Sequence, residues 1–559
     1  MKFYSLFLLL AATLAAAQQA SSSARVPIPG LTGGTDSSGK RPSRPGINGL
    51  QRANGPAWDL YIQALAAFQA VPEDNQQSYF QVVGIHGLPF VSWNGVGNVA
   101  GGGNGYCPHN EVLFSTWHRP FLALFEQILV GHARTIANKY TGSNKAKYVA
   151  AANTLRIPYW DWARDGAKLP ASTTATTVSV NTPTGRKTIR NPLYSYKFQK
   201  FPFTYANFGG TIGQYPQTMR CPSTSNRQAT SRFNVVNSNL ARDQSYLKNS
   251  VLQQYLTFTR TNSFAVMSTD SQGGYTFEAP HNTVHNDIGC SNPSGHMTNL
   301  GWSAFDPIFM LHHANVDRLI AMWQASHPNS QMFTGSYRTN SAMYGTARGS
   351  TYNSGTALKP FYRTSSTMWT SASSQSTRAF GYTYPEIQDW TMSASDLQRS
   401  VISQVNSLYG TSATRAKRSV ESRADDTVLQ YMAEISVDRE DLELPSTINM
   451  YLGDSLAGTF TLLSMPKVGP SFGNIPLQEP LAAFKADATE SPQNTVIRLL
   501  KSALRIEMVT ADGTTKSILN VPSLKVNLEI SEVLPAKSEF EFPTYLNTTQ
   551  VGVKLGELL

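Results

Sequence analysis

Ten histidines in 559 residues is an ordinary number, but seven of them gather in two groups. His86, His109 and His118 lie within or just beyond a stretch rich in Gly and Asn. His281 and His285 are spaced i, i+4, so a helix would aim both imidazoles the same way. His312 and His313 follow in a segment that opens on Asp306-Pro307. Neutral imidazole is the commonest metal ligand, and a pair one helical turn apart is a simple way to direct two of them at one ion. Each group offers three imidazoles and neither has a cysteine pair beside it. An all-nitrogen set suits copper, with zinc the rival. A zinc hydrolase would carry a glutamate between the paired histidines, as in H-E-x-x-H. The intervening residues here are Asn282, Thr283 and Val284, which argues against that chemistry. His132, His296 and His327 stand alone and read as structural residues.

The elements that must hold these ligands are partly legible. Residues 83–110 show little periodicity and read as a long irregular loop, a kind of segment usually kept for function. A helix is expected from Pro120, with Phe121, Leu124, Phe125, Ile128 and Leu129 as its apolar stripe and His118 just before it. Asp306-Pro307 is a cap and first-turn pair for another, whose stripe is Phe309, His313, Val316, Ile320 and Trp323. Trp58, Tyr61, Leu65 and Phe68 mark a helix from Pro56. Residues 18 to about 45 read as an extended arm, and 170–250 and 325–380, rich in Ser, Thr and Asn, as surface loops.

The chain divides further on. Its length allows two or three domains. Composition shifts near residue 395, and 396–427 reads as a linker. Beyond it, alternating runs such as TINMYLG, GTFTLLSM and SLKVNLEIS, with Ala511-Asp512-Gly513 as a turn signal, define a β-rich domain over 428–559. Met1-Lys2 and the apolar run to Ala17 form a signal peptide, 1–17, too short to span a membrane. The mature protein is therefore expected to be secreted, extracellular and without a membrane partner. With 41% hydrophobic and 15% charged residues the composition is globular, which excludes wholesale disorder and collagen. The net charge of +10 is dispersed, so no nucleic-acid partner is expected. Three cysteines exclude a disulfide-framework fold. Asn547-Thr548-Thr549 is a lone glycosylation sequon.

Three segments, CPHNEVLFSTWHRPFLALFE (107–126), FEAPHNTVHNDIG (277–289) and AFDPIFMLHHANVDRLIAMW (304–323), make the chain resemble the type-3 copper proteins, specifically the secreted fungal tyrosinases. The resemblance spans roughly residues 40–395. It implies a mainly α catalytic domain over 18–395, a four-helix bundle around a dicopper centre with long loops, followed by a C-terminal β-sandwich-like domain. One copper would be held by His86, His109 and His118, and the second by His281, His285 and His313, with His312 packed behind them. The two ions would bind and reduce O2 as co-substrate. The substrates implied are small phenols and catechols: monophenols hydroxylated ortho to the hydroxyl and o-diphenols oxidised to o-quinones.

Further roles follow from the same resemblance. Cys107 would form a thioether with His109, leaving Cys221 and Cys290 as a pair that could form a disulfide. Glu278 and Asn282 would hold a water that deprotonates an incoming phenol, and Phe309 and Asn286 would shape the substrate cavity. Tyr382-Thr383-Tyr384-Pro385 would tie the end of the catalytic domain to an arginine near the N-terminus, Arg44 or alternatively Arg52. The C-terminal domain would shield the coppers, with the GDSLAG and PKVGPSFGN loops as candidates and Phe472 as the aromatic to test. Arg415-Ala416-Lys417-Arg418 offers a processing protease a dibasic site at Lys417-Arg418. The C-terminal domain has no Cys, so a C-x-x-C copper-loading motif is absent. A catechol oxidase or o-aminophenol oxidase would share these ligands, and so would an oxygen carrier of the hemocyanin type.

Overall fold

Two separate apolar cores organise the computed structural model, which describes residues 25–103, 105–165, 168–245, 249–410, 427–483 and 492–557. The expected signal peptide, 1–17, and the expected processing site at Lys417-Arg418 lie outside the described residues. The larger core is helical. Its helices are α1 (Ile47–Ala53), α2 (Pro56–Gln69), α3 (Tyr79–Gly84), α4 (Phe114–Ala137), α5 (Gly142–Thr154), α6 (Phe233–Ser245), α7 (Asn249–Arg260), α8 (Phe264–Ser268), α9 (Glu278–Gly289), α10 (Ile308–Ser326) and α11 (Ala394–Tyr409). The expected residues Trp58, Tyr61, Leu65 and Phe68 are all buried on α2. That face packs on α4, which packs in turn on α10. α9 closes the group by facing α4 and α10 through ring contacts of His281 with Phe114 and His313.

Several boundaries differ from expectation. α4 begins at Phe114, so Pro120 sits in its second turn and His118 lies on the helix. Phe114 and Trp117 extend the buried stripe upstream, and that packing outweighs the hydrogen bond the proline removes. The region 170–250 is not all loop: β1 (Thr177–Thr182) and β2 (Gly185–Arg190) form a hairpin, followed by α6 and α7. α7 buries Leu252, Tyr255, Leu256 and Phe258, a helical stripe hidden among Gln and Thr. Within 325–380, β3 (Tyr337–Arg338) pairs with β4 (Thr351–Tyr352) and β5 (Ala357–Tyr362) with β6 (Met368–Thr370). The linker expected from residue 396 starts inside α11. This helix is capped by Ser393, buries Val401, Val405 and Tyr409, and packs on α7 and α10, so it belongs to the first core.

The arm before α1 is extended but stitched down. Ile28 N–H donates to Tyr362 O at 2.8 Å, and Arg44 N–H to Thr383 O at 2.9 Å. Arg44 is the expected arginine partner. Its guanidinium is buried, donates to the Tyr384 hydroxyl at 3.0 Å, and lies 3.6 Å over the Tyr382 ring. It also pairs with Glu126 on α4 at 3.0 Å and Asp317 on α10 at 3.2 Å, tying the two helices together. Arg52 is exposed.

The second core belongs to a β-sandwich. β7 (Val428–Asp438), β8 (Ser446–Leu452), β9 (Ser455–Leu462), β10 (Pro470–Pro476), β11 (Leu504–Thr510), β12 (Thr515–Lys516), β13 (Lys525–Leu534) and β14 (Thr544–Val553) form two antiparallel sheets, ordered β10-β7-β13-β14 and β12-β11-β8-β9. In β8 and β11 burial alternates strictly, as a sheet with one face on a core requires. Thr510-Gly513 is the expected turn, although it joins β11 to the short β12. Cys221 and Cys290 form a disulfide, and Cys107 takes no part in one.

Candidate metal centre

The six imidazoles expected to bind metal converge between α3, α4, α9 and α10, all of them buried. His86 follows α3, where the chain turns against residues 300–301. Its Nδ1–H donates to Leu300 O at 3.0 Å. A Cβ at Gly87 would lie 2.6 Å from the Gly301 Cα, so only glycine permits this approach. His118 donates its Nδ1–H to Phe114 O one turn back at 2.7 Å, and His285 donates its own to Met297 O at 2.7 Å. A carbonyl oxygen only accepts, so in these three rings Nε2 carries the lone pair. His281 Nδ1 is held at 3.0 Å by Asn282 Oδ1, which imposes the same tautomer.

The free nitrogens face one another. His313 Nε2 lies 3.2 Å from His281 Nε2 and 3.3 Å from His285 Nε2. In the other group, the buried His86 Nε2 and His109 Nε2 have no hydrogen-bond partner among the described residues. The groups adjoin, with the His118 and His313 rings stacked at 4.4 Å. Burial holds all six imidazoles neutral, lowering His118 to about 3 and His285 to about 4. Neutral rings with unpartnered nitrogens are the donor set two copper ions require, and the residues present fit them. His312 lies within reach but stacks nearly flat on His281, at 4.9 Å and 11°, whereas His313 directs its Nε2 at both neighbours.

The remaining expected residues surround these two groups. Cys107 Sγ lies 3.2 Å from both His109 Nδ1 and His118 Nε2. Phe309 stacks on His313 at 4.0 Å and meets His86 edge-on at 4.8 Å, so it touches both groups. Asn286 is half-buried and accepts from Ser291 Oγ at 3.0 Å. Glu278 opens α9. Its Oε1 accepts from Asn110 N–H at 2.8 Å, and its Oε2 from Thr269 Oγ1 at 2.8 Å and Asp270 N–H at 3.1 Å. Burial, then the charge of Asp270, pushes this carboxyl well above the ordinary range.

The amino-acid sequence matches the model of the common central domain of tyrosinase over residues 76–326. A tyrosinase of Podospora anserina is 35% identical over 426 residues, covering 73% of this chain and 73% of that protein. A tyrosinase of Neurospora crassa is 35% identical over 423 residues, covering 72% of this chain and 60% of its own length. The chain belongs to the tyrosinase family.

It is an enzyme of that family, and its fold follows. A solved structure of latent and active mushroom tyrosinase superposes with a TM-score of 0.81 at 24% identity, over 94% of this chain and 98% of that one. In the present tyrosinase-family chain the β-sandwich docks beside the metal centre. β9, which continues from the GDSLAG loop, packs on α9, the helix that carries His281 and His285. Phe472 on β10 lies instead against Gly273, where a Cβ would meet its ring at 3.7 Å. None of the described ring contacts joins it to a site histidine, so the contacts do not carry the expectation placed on it. Sequence reasoning missed Phe114, packed against His109, His118 and His281. It also missed Asn110, Asp270 and the buried Arg439 of the sandwich, whose charge acts on Asp270 and Glu278. Phe114 had a signal, since it extends the α4 stripe. The others are polar residues in turns or at a strand end, with nothing local to mark them.

Proposed function

We propose that this enzyme uses O2 to hydroxylate monophenols and to oxidise o-diphenols to o-quinones, and that it is made in a latent form. Two coppers, one held by His86, His109 and His118 and one by His281, His285 and His313, would supply paired one-electron chemistry toward O2 and the phenol. The observation that carries this reading is the convergence of His281, His285 and His313 on Nε2 contacts of 3.2 and 3.3 Å, with the second triad stacked against it. The protein's own residues do the rest. Carbonyl acceptors lock four of the rings in the ligating tautomer. Phe309 and Phe114 exclude water and limit the space above the ligands. Glu278 and Asn282 hold the proton acceptor for the phenol, which matters because a phenol's pKa is near 10. Cys107 and His109 are joined by a thioether, which orients that ring.

Latency is supported by β9 on α9 and by β10 beside Asp270. It also makes chemical sense, because quinones formed before secretion would attack the cell. Cleavage after Arg418 followed by displacement of residues 428–559 would open the site. A second reading, oxidation of o-diphenols or o-aminophenols with little attack on monophenols, is favoured by one observation: both Glu278 oxygens already accept hydrogen bonds.

Copper content and oxygen uptake test both readings. Two coppers per chain, and oxygen uptake with a monophenol that rises on cleavage, are expected. Uptake with diphenols alone selects the second reading. Zinc in place of copper, or equal rates before and after release of the sandwich, refutes the first. A peptide carrying Cys107 and His109 lighter by two hydrogens identifies the thioether.

A further inference from the structure

The residue after His109 joins three parts of the molecule that are far apart in sequence. Asn110 has φ 57°, a left-handed backbone that Asn tolerates better than most residues. This turns its N–H onto Glu278 Oε1 at 2.8 Å. Its side-chain amide donates to Asp270 Oδ1 at 2.7 Å. Asp270 in turn donates its N–H to Glu278 Oε2 at 3.1 Å and accepts from the Asn282 amide at 3.5 Å. One buried residue beside an expected metal ligand thus reaches Glu278 through its backbone N–H, and Asn282 through its side-chain amide and a single carboxylate.

The same amide nitrogen reaches the sandwich. It lies 2.8 Å from Pro470 O and 3.1 Å from Ser471 Oγ at the start of β10. An amide nitrogen carries two hydrogens, so Asp270 Oδ1 and Pro470 O are served together, with Ser471 Oγ as the longer, excess contact. Packing fixes the amide in this double contact. Asn110 Oδ1 is buried without a hydrogen-bond partner among the described residues, and a Cβ at Gly469 would lie 3.0 Å from it. Ser471 also accepts from the buried Arg439 at 3.2 Å, which anchors β10 in this position.

We propose that Asn110 is a positioning residue for monophenol oxidation, setting Glu278 and, through Asp270, Asn282, and that β10 takes hold of the same amide in the intact chain. The docked sandwich then holds the amide that faces Asp270 as well as covering the centre. This inference rests on the role given above to Glu278 and Asn282.

The test uses the copper-loaded full chain, assayed intact and after limited proteolysis, with one monophenol and its o-diphenol. Asn110→Gly keeps the N–H and the left-handed backbone and removes the amide. It is expected to keep both coppers and to lower kcat for the monophenol by roughly tenfold more than kcat for the diphenol, with little change in KM. Asn110→Asp faces Asp270 with a like charge and shows the same selective loss. Asn110→Asp with Asp270→Asn restores a donor and an acceptor between the two positions and recovers the ratio, which a merely structural role would not do. Equal losses on both substrates, no loss, or no recovery in the exchanged pair overturns the inference. So does failure of both the single and the exchanged protein to load copper. Asn282→Gly run in parallel separates the two levels. If it is selective and Asn110→Gly is not, only this inference fails; if it lowers both rates equally, the role of Glu278 and Asn282 fails first.

Discussion

Arg260 offers the sharpest measure of how firmly the sandwich is held. It ends α7 in the helical core, and its guanidinium pairs with Glu529 on β13. It donates to the Tyr275 hydroxyl at 2.5 Å and lies 4.7 Å over the Tyr275 ring and 4.6 Å over that of Tyr545. Side-chain exposure is only 11% for Arg260 and 5% for Glu529, so the pair is nearly shut off from water. Arg260→Met keeps the aliphatic stem and removes the charge, which leaves Glu529 with Ser531 Oγ at 2.9 Å and the Tyr275 hydroxyl at 3.4 Å. Breaking a fully buried pair from one side costs about 3–5 kcal/mol. The solvent edge here reduces that to about 2–3 kcal/mol of docking energy. At about 1.4 kcal/mol per tenfold, the open fraction of intact protein rises roughly 30- to 140-fold. The assay is the diphenol oxidation rate of intact copper-loaded enzyme divided by the rate after cleavage and release. The substitution should raise that ratio toward one and leave the released rate unchanged. A change below about threefold would show that this ion pair does not hold the domain, and the reasoning from burial would be refuted.

Three further outcomes are expected. His313→Asn should lose one copper per chain and the oxidase activity, whereas His312→Asn, which removes only a stacked ring, should retain both coppers; metal analysis of the two proteins decides, and the reverse order would exchange the ligand. Arg44→Met leaves Glu126 without its guanidinium partner and Asp317 with Arg119 as its remaining cation beside the Tyr382 and Tyr384 hydroxyls, so it should cost about 3–5 kcal/mol in urea unfolding and reduce copper retention; a loss below about 1 kcal/mol would show that the tie between α4 and α10 is dispensable. Docking should also weaken in acid. Burial raises Glu529, but Arg260 beside it, together with hydrogen bonds from Glu434 and Ser531, outweighs burial and holds its carboxyl below the free value of 4.5. A depressed carboxyl contributes stability above its free value and loses it as pH falls through the lowered one, so the activity of intact enzyme, measured at neutral pH after brief exposure to graded acid, should rise after exposure below about pH 4.5 and not after milder exposure.

The two histidine groups, several of the helices around them and the strand-rich character of the C-terminal part were legible in the residues themselves. The spacing of His281 and His285, the Asp306-Pro307 start and the stripe from Trp58 to Phe68 are local signals, because a helix repeats every few residues and its buried face must repeat with it. Alternation did the same for β8 and β11. Local rules misjudged α4, where Pro120 suggested a start that packing by Phe114 and Trp117 moved upstream, and α11, whose buried Val401, Val405 and Tyr409 are diluted by serines. Tertiary structure alone decided which of two adjacent histidines turns its Nε2 toward His281 and His285, because neighbours on a helix point about 100° apart and only the facing helix distinguishes them. It alone joined Asn110 to Glu278, Asp270 and Pro470, across 168, 160 and 360 residues of chain. Periodicity records that a side chain is buried, not what it is buried against. A polar residue in a turn carries no period at all, so its partners exist only once the distant segments have packed.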